Sequence, residues 1–283
     1  MPTASHDRSI LVTGASTGIG RAAAERLAAE GWRVFATARR PEDLAALAAI
    51  AGVEAIFLDY TAPASIAACA DRVLAATDGR LYALFNNGAY GQPGAVEDLA
   101  TDVLRAQFEA NFFGWHDLTC RLIPAMRAAG RGRIVQCSSV LGIAALKYRG
   151  AYIASKFALE GLTDTLRLEL AGTGIAVVSI RPGPIATNFV QNAMVRFRAN
   201  IDIEASAHAE VYRRRLARMG RGGATRFKLP PEAVVDRLCH ALESPRPRPT
   251  YRVTTATLIL DVARRLLPSR AMVWLARRIS DRE

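Results

Sequence analysis

The chain has 283 residues, is 51% hydrophobic, and carries 37 Lys+Arg against 26 Asp+Glu for a formal net charge of +11, which suits one large domain with a substantial core. No run of 18 apolar residues occurs, so no helix is expected to span a membrane, and the opening MPTASHDRSI lacks the apolar stretch of a secretory signal. Cys69, Cys120, Cys137 and Cys239 show no C-x-x-C spacing and His6, His116, His208 and His240 no ligand pattern, so reduced thiols, a cytoplasmic location and no metal are expected.

Along the chain, β-branched runs alternate with helical patterns. Strands are predicted at 9–14, 33–38, 53–59, 81–87, 132–139, 174–183 and, short, at 250–254. Helices are predicted at 19–31, closed by Gly31, at 42–51 behind Pro41, at 63–77, as one long helix near 100–128, at 150–171 and at 232–243. Successive βα units of this kind must be parallel, with right-handed crossovers. The fold class is therefore α/β: a doubly wound, mostly parallel sheet of about seven strands with helices on both faces. Ligands of such sheets bind beyond the carboxyl ends of the strands.

After Pro184 the rhythm breaks. Residues 188–229 read as a substrate loop or helical lid, and 256–283 as a basic amphipathic extension split by Pro268. No repeat or linker interrupts residues 1–283, so one domain is expected. Charge is uneven: residues 1–190 hold 18 Lys+Arg against 17 Asp+Glu, residues 191–283 hold 19 against 9. The basic third could pack on the core, lie on an anionic membrane with Leu258, Ile259, Val262, Leu266, Trp274 and Ile279 inserted, or attract an anionic substrate. No nucleic-acid module is recognisable, and no nucleic-acid partner is expected.

TGASTGIG at 13–20 follows the first strand and opens the first helix. Gly14, Gly18 and Gly20, with Ser16 and Ile19 between them, allow a tight turn and a free helix N-terminus suited to a pyrophosphate. A plain glycine-rich turn is the bland alternative. Tyr152 and Lys156 in AYIASKFALE stand four apart on one helix face. They read either as a stacked surface pair or as a phenol whose pKa a cation lowers for proton exchange.

The ordered set of T-G-x-x-x-G-x-G, NNGA at 86–89, Asn111, Ser139 thirteen residues before Tyr152, YIASK and RPGPIAT at 181–187 resembles the short-chain dehydrogenase/reductase family over about residues 8–190. The tail is similar to its steroid- and retinol-dehydrogenase-like branch. The resemblance implies a Rossmann sheet and hydride transfer between an alcohol or carbonyl and a nicotinamide. It implies Tyr152 as acid/base, Ser139 rather than Ser138 as donor to the substrate oxygen, and Lys156 lowering the phenol's pKa while binding the nicotinamide ribose. Asn111 would kink its helix and hold a water, or be a surface residue. Asp59, with Tyr60 beside it, would meet the adenine or merely start a helix. Asn87, Gly88 and Ala89 would lie along the adenosine ribose, and Pro182, Gly183, Ile185 and Thr187 would border the nicotinamide. The family usually has N-N-A-G where this chain has N-N-G-A.

Ala38 stands where NAD users of the family carry an acid, and Arg39 follows. A guanidinium suits a phosphate, so NADP(H) is favoured over NAD(H), unless Arg39 and Arg40 only solvate a loop. Tyr90, Val140, Leu141, Ile143, Leu146, Tyr148 and Phe189 would line a mostly apolar pocket for a lipophilic small molecule. A homo-oligomer, dimer or tetramer, is expected, with peripheral membrane contact through the tail as a further option. The rival readings are an NAD-preferring member and a cofactor-sensing binding protein on the same fold.

Overall fold

The computed structural model describes residues 8–220 and 228–282; residues 1–7 with His6, residues 221–227 of the expected lid, and Glu283 lie outside the described residues. Seven strands form one sheet: β1 Ser9–Val12, β2 Arg33–Ala38, β3 Val53–Phe57, β4 Ala83–Asn86, β5 Gly132–Cys137, β6 Ile175–Arg181 and β7 Thr250–Arg252. Their order is β3-β2-β1-β4-β5-β6-β7 and every pairing is parallel. The order reverses between β1 and β4, whose register sets Val12 beside Phe85. The loops leaving these two strands therefore diverge from one crevice, where doubly wound sheets bind ligands.

The crossovers are α1 Gly18–Ala29, α2 Pro41–Ala48, α3 Pro63–Ala76, α4 Thr101–Phe108 continued by α5 Gly114–Ala128, and α6 Gly150–Glu169. Downstream lie α7 Phe189–Asn200, α8 Ala209–Gly220, α9 Glu232–Glu243, α10 Thr255–Leu266 and α11 Ser269–Arg282. Helices cover both faces of the sheet, with α1 packed beside α9 and α3 beside α5. Strand residues are buried almost without interruption, as a sheet covered on both faces requires. The main core is built from these residues and the inner helix faces. None of the helices among the described residues is long and apolar enough to cross a membrane.

The long helix expected near 100–128 is interrupted by a π turn at Glu109–Phe113, at Asn111, where a kink was expected. Asn111 in that turn spends its side chain on the backbone of Tyr90 in the loop after β4. The tail does split at Pro268, but its apolar stripe does not cover the core. Leu258, Ile259, Val262, Leu266 and Trp274 face outward, while Thr257, Asp261 and Ser280 are buried. A buried ionic cluster explains the inversion. Arg181 on β6 makes a two-pronged pair with Glu160 on α6, at 2.9 and 2.6 Å, and reaches Asp261 of α10 at 3.5 Å. Arg252 of β7 pairs with Asp261 from the other side. Polar groups, with Leu260 buried beside them, hold α10 to the domain.

Candidate active site

The sharp turn after β1 is wedged against the segment after β4. Gly14 has φ +62°, and a β-carbon there would come within 2.3 Å of the Gly88 Cα, so neither position has room for a side chain. Asn87 locks the two segments together: its Nδ2 donates to the Thr13 and Gly14 carbonyls at 3.0 and 3.3 Å, and its N–H to Thr13 Oγ1 at 2.8 Å. Thr17 precedes α1 in extended conformation and makes no side-chain cap, so the first N–H groups of α1 are left for another acceptor. Thr187, beyond β6, lies across that turn: a β-carbon at Gly18 would meet its Cγ2 at 2.9 Å. Ser16 and Ile19 are partly exposed beside it.

Around this crevice the other candidates separate. Arg40 is held by the α2 carboxylates, with Nε 2.8 Å from Asp43 Oδ2 and NH1 3.3 Å from Glu42 Oε1. Arg39 is exposed and makes no ion pair among the described residues. Asp59 accepts from the N–H and hydroxyl of Thr61 at 2.9 and 2.8 Å, a turn into α3. The Tyr60 side chain belongs to the frame: it is buried and donates to Asn86 Oδ1 at 2.9 Å. Pro182 is buried, Gly183 lies against the Thr254 hydroxyl, and Ile185 pairs with Leu229. Ala89, in the loop after β4, is half-buried.

Ser139, Tyr152 and Lys156 converge at the carboxyl end of β5. Ser139 caps a short 3-10 turn, accepting from Leu141 N at 3.0 Å, and its hydroxyl is near enough to the Tyr152 phenol to lower that group's pKa. Ser138 faces elsewhere: its buried hydroxyl has no hydrogen-bond partner and sits near Gly142. Phe189, the first residue of α7, stacks edge-on against the Tyr152 ring at 5.3 Å. Lys156 is buried, donates to the Cys137 carbonyl at 2.9 Å, and lies 5.8 Å from the centroid of the Tyr152 ring.

The electrostatics differ from the expectation. Burial drives the Tyr152 phenol above its ordinary value, with the Ser139 hydroxyl opposing. Burial also pushes the Lys156 ammonium down to about 8, against the opposing pull of Cys137 and Glu160. Lys156 is directed to a carbonyl rather than to the phenol, so it does not bring the phenol toward neutrality in this arrangement.

Asn111 Oδ1 accepts from Tyr90 N at 3.2 Å and its Nδ2 donates to Tyr90 O at 2.8 Å. It therefore fixes the loop after β4, a use that propensity could not indicate. Trp115, four residues on, was not foreseen either. Its indole is fully buried, donates to the Gly88 carbonyl at 2.8 Å, and presents its face to Lys156 Nζ at 4.1 Å. An aromatic four residues after a predicted site Asn was the available signal. Of the expected pocket lining, Leu141 and Ile143 are buried near Ser139, whereas Tyr148 stacks on His208 and Tyr212 in a separate cluster under α8.

The sequence matches the family profile described as short chain dehydrogenase over residues 8–196. It is 42% identical over 265 residues to the uncharacterized oxidoreductase YbbO of Escherichia coli, covering 94% of this chain and 92% of that protein. It is 34% identical over 191 residues to human retinol dehydrogenase 8, covering 64% and 60% of the two chains. A crystal structure of a short-chain dehydrogenase/reductase from Burkholderia phymatum in complex with NAD superposes with a TM-score of 0.76, at 27% identity and 97% coverage of both chains.

Proposed function

Because the chain belongs to the short-chain dehydrogenase/reductase family, whose members are NAD(P)-using oxidoreductases, we propose that it interconverts an alcohol and a carbonyl on a lipophilic small molecule with NADP(H). The observation that carries this reading is a buried Lys156 that lies 5.8 Å from the Tyr152 ring and is anchored on the Cys137 carbonyl, two residues before Ser139. In this reading Tyr152 gives or takes the proton at the substrate oxygen, which a positioned side chain can accelerate by about 10²–10⁴-fold. Ser139 donates to the same oxygen and steadies the charge that develops there. Lys156 supplies the positive charge behind them.

The crevice suits a dinucleotide. The uncapped start of α1 would take the pyrophosphate, with Gly14, Ser16, Gly18, Ile19 and Gly20 around it. Asn87, Gly88 and Ala89 would border the adenosine ribose and Asp59 with the Tyr60 backbone the adenine. Pro182, Gly183, Ile185 and Thr187 would border the nicotinamide, which supplies or receives the hydride. Arg39 is free of carboxylates while Arg40 is not, and a lone guanidinium in that place favours the 2′-phosphate of NADP(H). Phe189 against the Tyr152 ring and Leu141 beside Ser139 support a lipophilic substrate, and a homo-oligomer is the expected assembly. NADPH and NADH oxidation across carbonyl compounds of graded hydrophobicity tests the reading. Turnover of apolar ketones or aldehydes, faster with NADPH, is expected; no turnover with any carbonyl would remove it.

A further inference from the structure

We propose that the outward face of α10, with the turn into α11, docks on an anionic lipid surface. An amphipathic helix on a soluble domain ordinarily turns its apolar stripe to the core. Here Leu258, Ile259, Val262 and Leu266 share the solvent face, with Ile259 52% and Leu266 75% exposed, and Trp274 on the next helix is 59% exposed. The opposite face carries Thr257, Leu260 and Asp261, buried. The helix is held by that face, so the outward apolar stripe is free for something else.

The charge around that face says what the partner is. Arg265, Arg270 and Arg278 flank it, the last lying over the Trp274 ring at 5.3 Å. The nearby carboxylates are occupied: Asp261 is turned inward to Arg181 and Arg252 and also meets Arg265 at 3.6 Å, and Asp281 is held by Lys147 at 2.5 Å. A second copy joined through a two-fold axis would bring the same arginines against one another, an unfavourable match. Anionic headgroups with acyl chains beneath them complement both features. The aliphatic groups enter the headgroup boundary while the long arginine side chains reach back to the phosphates.

The full-length protein is sedimented with vesicles of phosphatidylcholine, and of phosphatidylcholine mixed with phosphatidylglycerol. Binding to the mixed vesicles is expected, weakened by salt, and reduced about tenfold or more in Ile259→Glu/Leu266→Glu and in Arg265→Gln/Arg270→Gln. These positions are exposed, and unchanged thermal unfolding of each variant checks that the fold is kept. Protein that stays in the supernatant with both vesicle types overturns the proposal. So does equal binding to both, or binding that survives the Glu pair. An oligomer that the Glu pair splits, without any lipid binding, assigns the face to a second copy instead.

Discussion

The ammonium of Lys156 rests 4.1 Å from the centroid of the Trp115 indole, whose own N–H is anchored 2.8 Å from the Gly88 carbonyl. The ring thus ties the buried lysine to the same segment that packs against the glycine turn. A desolvated cation over an indole gains about 2 kcal/mol, which favours the charged amine against its burial. Trp115→Leu removes that support, so the Lys156 pKa falls further. If the charged amine is needed for turnover, the alkaline limb of the kcat/KM profile moves to lower pH in Trp115→Leu, with kcat/KM down about tenfold. Trp115→Phe, which keeps a ring face, retains most of the limb. An unchanged limb in the Leu variant would show that the indole only fills space.

Tyr152→Phe keeps the ring that stacks on Phe189 but loses the phenol hydroxyl. Turnover is expected to fall by about 10²–10⁴-fold, while NADPH binding, followed by fluorescence titration, stays within about twofold of wild type. Wild-type rates in this variant would discard Tyr152 as the acid/base.

Arg39→Asp exchanges an unpaired guanidinium for the acid that a ribose 2′-hydroxyl prefers. The ratio of kcat/KM for NADPH over NADH is expected to drop by at least about tenfold, the scale of one lost charge-assisted contact. Arg40→Ala, which breaks only pairs with Glu42 and Asp43, leaves the ratio unchanged. Equal ratios in wild type and Arg39→Asp would overturn the cofactor preference.

Lys156 has a signature in stability as well. Its amine ordinarily titrates at 10.5 and is pushed down to about 8 in the folded state. Below pH 8 the folded protein bears the whole cost of a buried charge. Between about 8 and 10.5 the folded state sheds its proton while the unfolded chain keeps it, so stability rises with pH relative to a chain without the group. Lys156→Met is therefore expected to be more stable than wild type at pH 7, by about 3 kcal/mol. That advantage shrinks toward zero above pH 10.5. Denaturant unfolding at pH 7 and pH 10.5 measures it; a pH-independent gap would refute the buried-charge account.

Arg181 is the hinge of the ionic cluster under α10. Arg181→Met leaves Glu160 and Asp261 buried with less compensation, and a loss of about 3–5 kcal/mol is expected. Limited proteolysis then cuts within residues 253–268 sooner than in wild type. Proteolysis unaffected by the change would mean that α10 is held by other contacts.

The chain's own spacing determined much of this protein. Strand and helix periods gave the seven strands and the doubly wound class, because covered parallel strands and amphipathic crossovers have distinct local patterns. The glycine turn was legible from its place between the first strand and helix, whereas Ser139, Tyr152 and Lys156 were legible through the resemblance of their ordered spacing to the family's motifs. Tertiary structure alone decided the rest. Lys156 meets Trp115 across 41 positions of sequence, a contact that periodicity cannot encode. Asn111 and Tyr60 turn to Tyr90 and Asn86 because buried polar groups take whichever partner the packing brings. The outward stripe of α10 was hidden for a related reason. A hydrophobic pattern tells that a helix has two unlike faces, but only long-range partners such as Arg181 and Arg252 decide which face meets the domain.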